Sequence, residues 1–274
     1  MFESAKKKIE KGFASLQLFS EELDTFVASK PAHVVRNGKS NIVYTLIVMD
    51  KQVSLDTLII AGEAAHHFRS ALDHCAWALH KGGQIQETIE HKIYFPVASK
   101  RRNFNEAIRD LKFKDTVLAD HFRSLECYKN GKGELIHFLS EMDNHEKHRV
   151  ITPAFTNLTV KGMTELTKYP GHESTAPLPD KTHRVASGQT QYFPSPSGGI
   201  LSAQHIAQHP KNGTKQIDNV GTVEVEIGFS DPAPPIDGSM IEILTEIGKR
   251  VEEIVLEIEK KVPHKVCDPG EYLR

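Results

Sequence analysis

The chain has 274 residues, 39% apolar and 26% charged, with a formal net charge of −2. That length and balance suit one large globular domain, or a domain with a substantial insertion. The charge excludes a global basic excess, so binding to a polyanion would need a local basic patch.

Three cysteines, Cys75, Cys127 and Cys267, lie far apart and form no CxxC pair. This argues against a disulfide framework or a Cys-rich zinc site and fits a reducing cytosol. The N-terminal MFESAKKKIEKGF has lysines but no following apolar run, unlike a secretory leader. No apolar stretch nears the roughly 18–20 residues of a membrane span. The expectation is a cytoplasmic protein without a membrane partner or anchor.

In chain order, residues 3 to 28 read as a helix, because Ile9, Phe13, Leu16, Phe19, Leu23 and Phe26 recur at helical steps. Pro31 ends that pattern. A hairpin over about 33–49 is expected to turn at Asn37-Gly38. Ser54 is placed to cap a helix over 54 to 80 that Gly82-Gly83 ends. After a loop containing Tyr94-Phe95-Pro96-Val97, helices are expected at 102–111, 115–128 and 133–148. Residues 150 to 236 turn rich in Thr, Ser, Gly and Pro. Within them Val223, Val225 and Ile227 alternate with polar residues, as a half-buried strand does, and 168–215 reads as a long irregular excursion. A final helix over about 237–261 carries an apolar stripe of Ile241, Leu244, Ile247, Val251, Ile254, Val255 and Ile258. The fold class this order predicts is α+β: a helical bundle over 1–149, a small β-rich insertion over 150–236, and a C-terminal helix in 237–274 that returns to the bundle.

The 54–80 helix contains HHFRSALDH, residues 66 to 74. One face gathers Ala61, Ala64, Phe68, Ala71, Leu72, Cys75 and Leu79. The other gathers Glu63, His66, Ser70, Asp73, His74 and Trp77, with Arg69 at its border. An indole amid that second face implies that this face is covered too. Covered His, Asp and Arg need partners, because unpaired burial costs several kcal/mol. A second cluster, Asp143 to Arg149, ends the 133–148 helix. The helix dipole accounts for Lys147, His148 and Arg149 there, but not for Asp143 and Glu146. If the two helices pack together, His66, Asp73 and His74 would meet Glu146 and His148, flanked by Arg69 and Arg149.

Arg69 to His74 fits the R-x4-6-H pattern and so resembles the HEPN superfamily of helical, often dimeric proteins. That resemblance implies metal-independent RNA cleavage, with Arg69 and His74 as the catalytic pair meeting their symmetry mates in a homodimer. H-x-x-R-S-A-L-D-H with the later Lys147-His148-Arg149, and Tyr-Phe-Pro-Val between them, is similar to a set of uncharacterised bacterial and phage proteins. This second likeness implies a fold family and no reaction.

Three readings follow. In the first, His74 is the general acid or base, Arg69 stabilises phosphate charge, and His66, Asp73, Glu146 and His148 orient them, with RNA as partner and no cofactor. In the second, the same residues are a buried polar network in a non-enzymatic binding protein whose β-rich insertion carries the binding surface. In the third, the histidines and carboxylates hold a hydrolytic metal between helices, although no HExxH or repeated ExxH spacing is present. Ser70 with His74 has the residue types of nucleophile and base, but a serine inside a regular helix lacks an oxyanion hole. No dinucleotide, P-loop or GxSxG motif occurs, so no cofactor is expected.

Overall fold

The computed structural model describes residues 1–39, 42–49, 51–148, 154–161, 164–169, 172–177, 181–186, 201–203, 214–219, 222–229 and 234–262. Its framework is a helical bundle. Helix α1 spans Glu3–Ala28 and α2 spans Leu55–Lys81. The short α3 (Arg101–Asp110) and α4 (Thr116–Ser124) lead to α5 (Glu134–His148). The last helix, α6, is Met240–Lys261. No helix among the described residues is long and apolar enough to cross a membrane.

Local sequence sets several of these limits. The Ser54 hydroxyl accepts the Thr57 N–H at 3.0 Å and opens α2. Ser239 and Glu242 form a reciprocal capping box at the start of α6. Helix α4 stops at Ser124, short of the expected 128, and Glu126 adopts φ +48. A left-handed backbone there cannot continue the helix. Helix α5 begins after this break at Glu134, one residue later than expected, and ends at His148 as expected.

The hairpin differs from expectation in its turn. Strands β1 (Ala32–Lys39) and β2 (Ile42–Met49) pair antiparallel, with Asn37 opposite Tyr44 and Gly38 opposite Val43. Asn37-Gly38 therefore lies inside the ladder. Closing it between Lys39 and Ile42 lets the whole apolar run Ile42–Met49 pair, which a turn at 37–38 would not allow. Beyond α5, strands β3 (Ala154–Lys161) and β9 (Thr222–Phe229) pair antiparallel, and β6 (Lys181–Ala186) flanks β3. Strand β4 (Thr164–Tyr169) pairs with β5 (His172–Pro177) and β8 (Thr214–Asn219). A three-residue strand, β7 (Leu201–Ala203), joins β2. The expected irregular excursion over 168–215 thus contains paired strands, and the segments between them lie outside the described residues.

Helix α2 is the shared element, in contact with α1, α5 and α6. Its Phe68 is fully buried and meets Phe13 of α1 edge-on at a centroid distance of 5.2 Å. Two glycines let the neighbouring helices close on that ring. A Cβ on Gly12 of α1 would lie 2.5 Å from Phe68 Cε1, and one on Gly248 of α6 would lie 2.6 Å from Phe68 Cζ. On α6, Ile243, Leu244, Ile247, Val251, Val255 and Ile258 are fully buried and continue the core.

Gly12→Ala should destabilise the protein by about 1–3 kcal/mol, because the ring is confined from both sides and cannot move aside. Phe68→Leu in the same chain should recover part of that loss, since the two positions share one space. Urea denaturation of the two single variants and the double variant checks this. Additive losses would contradict the close approach.

Candidate functional site

Arg69 and Asp73 lie one turn apart on α2, and together they hold the backbone of one residue of the Tyr94–Val97 loop. Arg69 Nη2 donates to the Phe95 carbonyl at 3.2 Å, and the Phe95 N–H donates to Asp73 Oδ1 at 3.0 Å. Arg69 Nη1 stands 2.8 Å from Asp73 Oδ1. Arg69 is only 9% exposed. A buried guanidinium needs such a counterion, and the pair also satisfies both polar groups of a buried residue, Phe95.

His66 points to a different neighbour. Its Nδ1–H donates to Asp143 Oδ1 of α5 at 2.8 Å, and the Ser70 hydroxyl donates to its Nε2 at 3.3 Å. Asp143 is 3% exposed, while the His66 side chain is 42% exposed. The carboxylate fixes the tautomer and leaves Nε2 as the acceptor. Asp143 is absent from the set the sequence singles out, yet the signal was there: an acid near a helix C-terminus, where the dipole disfavours it.

His74 faces α1. Its Nδ1 and the Ser4 hydroxyl form a short hydrogen bond of 2.5 Å. Both residues line a cavity of about 740 Å³, together with Trp77 and Lys81. Lys81 Nζ lies 4.6 Å from the Trp77 ring centroid, a cation–π distance. Burial, reinforced by Lys8, pushes the His74 pKa below its usual value while Asp73 opposes the shift. The imidazole is therefore held neutral, the state in which it can accept a proton. Ser4 sits in the first turn of α1, whose N-cap Phe2 offers no side-chain acceptor. The first backbone bond of the helix runs from the Lys6 N–H to the Phe2 carbonyl at 3.1 Å, so the N–H groups of Glu3, Ser4 and Ala5 have no intrahelical partner.

The structure therefore distributes the expected cluster. His66 reaches α5, but through Asp143. Glu146 and His148 fall in the last turn of α5, where their side chains lie outside the described residues, as does Arg149. Arg69 and His74, the pair the HEPN pattern implies, are about 140° apart around the helix axis and bond to different elements. Ser4, some 70 positions from His74, carries no motif, and only the packing of α1 on α2 brings it there. Among the described residues, no three His, Cys, Asp or Glu side chains come together as a metal site. Burial pushes the Cys75 and Cys127 thiols well above their usual range, which leaves them unreactive.

The described helices form a bundle whose central helix, α2, carries His66, Arg69, Asp73 and His74. No family model, curated protein or solved structure matches the chain.

Two outcomes follow from this geometry. Asp73→Asn removes the counterion of a buried arginine and should cost about 3 kcal/mol in urea titration; a loss under 1 kcal/mol would show that the grip is dispensable. His67, His74 and His121 all have pKa values lowered from 6.5, chiefly by burial. Between their folded values and 6.5 the unfolded chain binds more protons, so stability falls as pH drops through that window. The melting temperature should be flat above pH 7 and decline from about pH 6.5 downward, and less steeply in His74→Gln. An unchanged profile in that variant would contradict the assignment.

Proposed function

We propose that this protein is a metal-independent hydrolase in which His74 transfers the proton and Ser4 is the nucleophile. The observation behind this reading is the Ser4–His74 hydrogen bond at the wall of a cavity that Trp77 and Lys81 also line. Ser4 Oγ bonds to the acyl carbon of an ester as its proton passes to His74 Nδ1. The ester C–O bond then breaks, and the alcohol leaves with that proton. Water, deprotonated by the same nitrogen, attacks the acyl carbon, and the acid departs as Ser4 regains its proton. The open N–H groups of the first turn of α1 are donors of the kind that stabilise an oxyanion. Ser70, inside α2, has no such donors.

Cleavage of RNA, the HEPN-like reading, would use the same imidazole on the substrate's own 2′-hydroxyl, with a homodimer supplying Arg69 from a second copy. It needs His74 but not Ser4. A second reading, a non-enzymatic interaction protein, is favoured by the commitment of Arg69 and Asp73 to the Phe95 backbone. In that reading residues 150–236 form a β-rich insertion that carries the binding surface.

The test compares the full chain with Ser4→Ala and His74→Ala. A p-nitrophenyl ester and intact RNA, both in EDTA, serve as substrates. The proposal predicts ester turnover that falls by about 10²-fold or more in each variant, with a fluorophosphonate bound at Ser4 by mass spectrometry. RNA decay that survives Ser4→Ala and stops in His74→Ala would replace it with the HEPN-like reading. No turnover of either substrate, with a lowered melting temperature in His74→Ala, would replace it with the interaction reading.

A further inference from the structure

A second cavity, of about 640 Å³, lies against the other flank of α2 and includes Arg69, Tyr94 and Phe95 in its wall. Its remaining basic groups come from separate segments: His91 and Lys92 from a 3₁₀ turn at Glu90–Lys92, and Lys112 from beyond α3. Two carboxylates share the wall, Glu87 and Asp110. Glu87 is already engaged. It accepts the Ile89 N–H at 2.9 Å and lies 3.4 Å from Lys112 Nζ, and that N–H holds its pKa below the usual carboxylate value.

Arg69 is the unusual member, because it is 9% exposed and still lines a cavity. Its Nη1 is ion-paired with Asp73 Oδ1 at 2.8 Å and its Nη2 donates to the Phe95 carbonyl at 3.2 Å. A guanidinium carries more N–H donors than these two contacts consume. Arg69, Lys92, Lys112 and His91 around one space make a receptor for an oxyanion with several acceptor oxygens. A phosphate group fits this better than a carboxylate, since it can accept from three segments at once. Tyr94 is 57% exposed and offers a ring face beside the charges.

We propose that this cavity binds the phosphate group of a small molecule, either free phosphate or a nucleotide whose base stacks on Tyr94. The site is separate from Ser4 and His74, and its occupation does not depend on their chemistry.

Isothermal titration of the full chain with inorganic phosphate, AMP and adenosine tests it, alongside Lys92→Glu, Lys112→Glu and Tyr94→Ala. Lys92 and Tyr94 are exposed, so their variants keep the melting temperature of the parent, whereas Lys112→Glu also takes the cation from Glu87 and lowers it. Binding of phosphate or AMP that weakens about tenfold or more in each charge reversal supports the site. Tighter binding of AMP, lost in Tyr94→Ala, assigns the nucleotide; equal affinities assign free phosphate. No binding of either at millimolar concentration, charge reversals that leave affinity unchanged, or adenosine binding as tightly as AMP would overturn the proposal.

Discussion

The ring of Phe68 is held between two helices that come close only because each presents a glycine. Gly12 of α1 and Gly248 of α6 approach the same side chain of α2, and any Cβ would push its helix outward. This contact fixes the rotation of α2 about its axis as well as its position. Once Phe68 is seated, the angular position of every other side chain on α2 is determined by helical geometry. His66 turns toward α5, Arg69 and Asp73 toward the Tyr94–Val97 loop, and His74 toward the start of α1.

The polar residues of α2 therefore serve three neighbours instead of forming one centre. Arg69 and Asp73 form the mechanical element, because a charge this deeply buried is tolerated only with its counterion and its acceptor in place. His66 is bound to a buried carboxylate that fixes its tautomer. His74 alone combines a hydroxyl partner, a depressed proton affinity and an adjoining cavity. That combination is what the proposed proton transfer requires of an imidazole.

The helices are legible in the sequence because their apolar periodicity is strong and their caps are local. Ser54 and Ser239 each announce a start within three residues of the N–H they accept. The hairpin turn is less legible: Asn37-Gly38 has the right composition for a tight turn, but the apolar run that follows sets the register. The end of α4 depends on a left-handed residue, Glu126, that composition does not mark. The polar cluster can be found from the oddity of its residues, including the half-covered Trp77. Its division cannot, because Asp143, Phe95 and Ser4 are long-range partners chosen by packing. Phe95 takes part through its backbone, which no side-chain pattern reveals.

The most direct test is an NMR titration of the imidazoles of His66, His67 and His74 in the intact chain and in Ser4→Ala. The account predicts that His74 titrates below the ordinary histidine range as a single tautomer protonated at Nε2, and that removal of the serine hydroxyl releases this tautomer while leaving His66 unchanged. A His74 that titrates near 6.5 with freely exchanging tautomers, indifferent to residue 4, would contradict it.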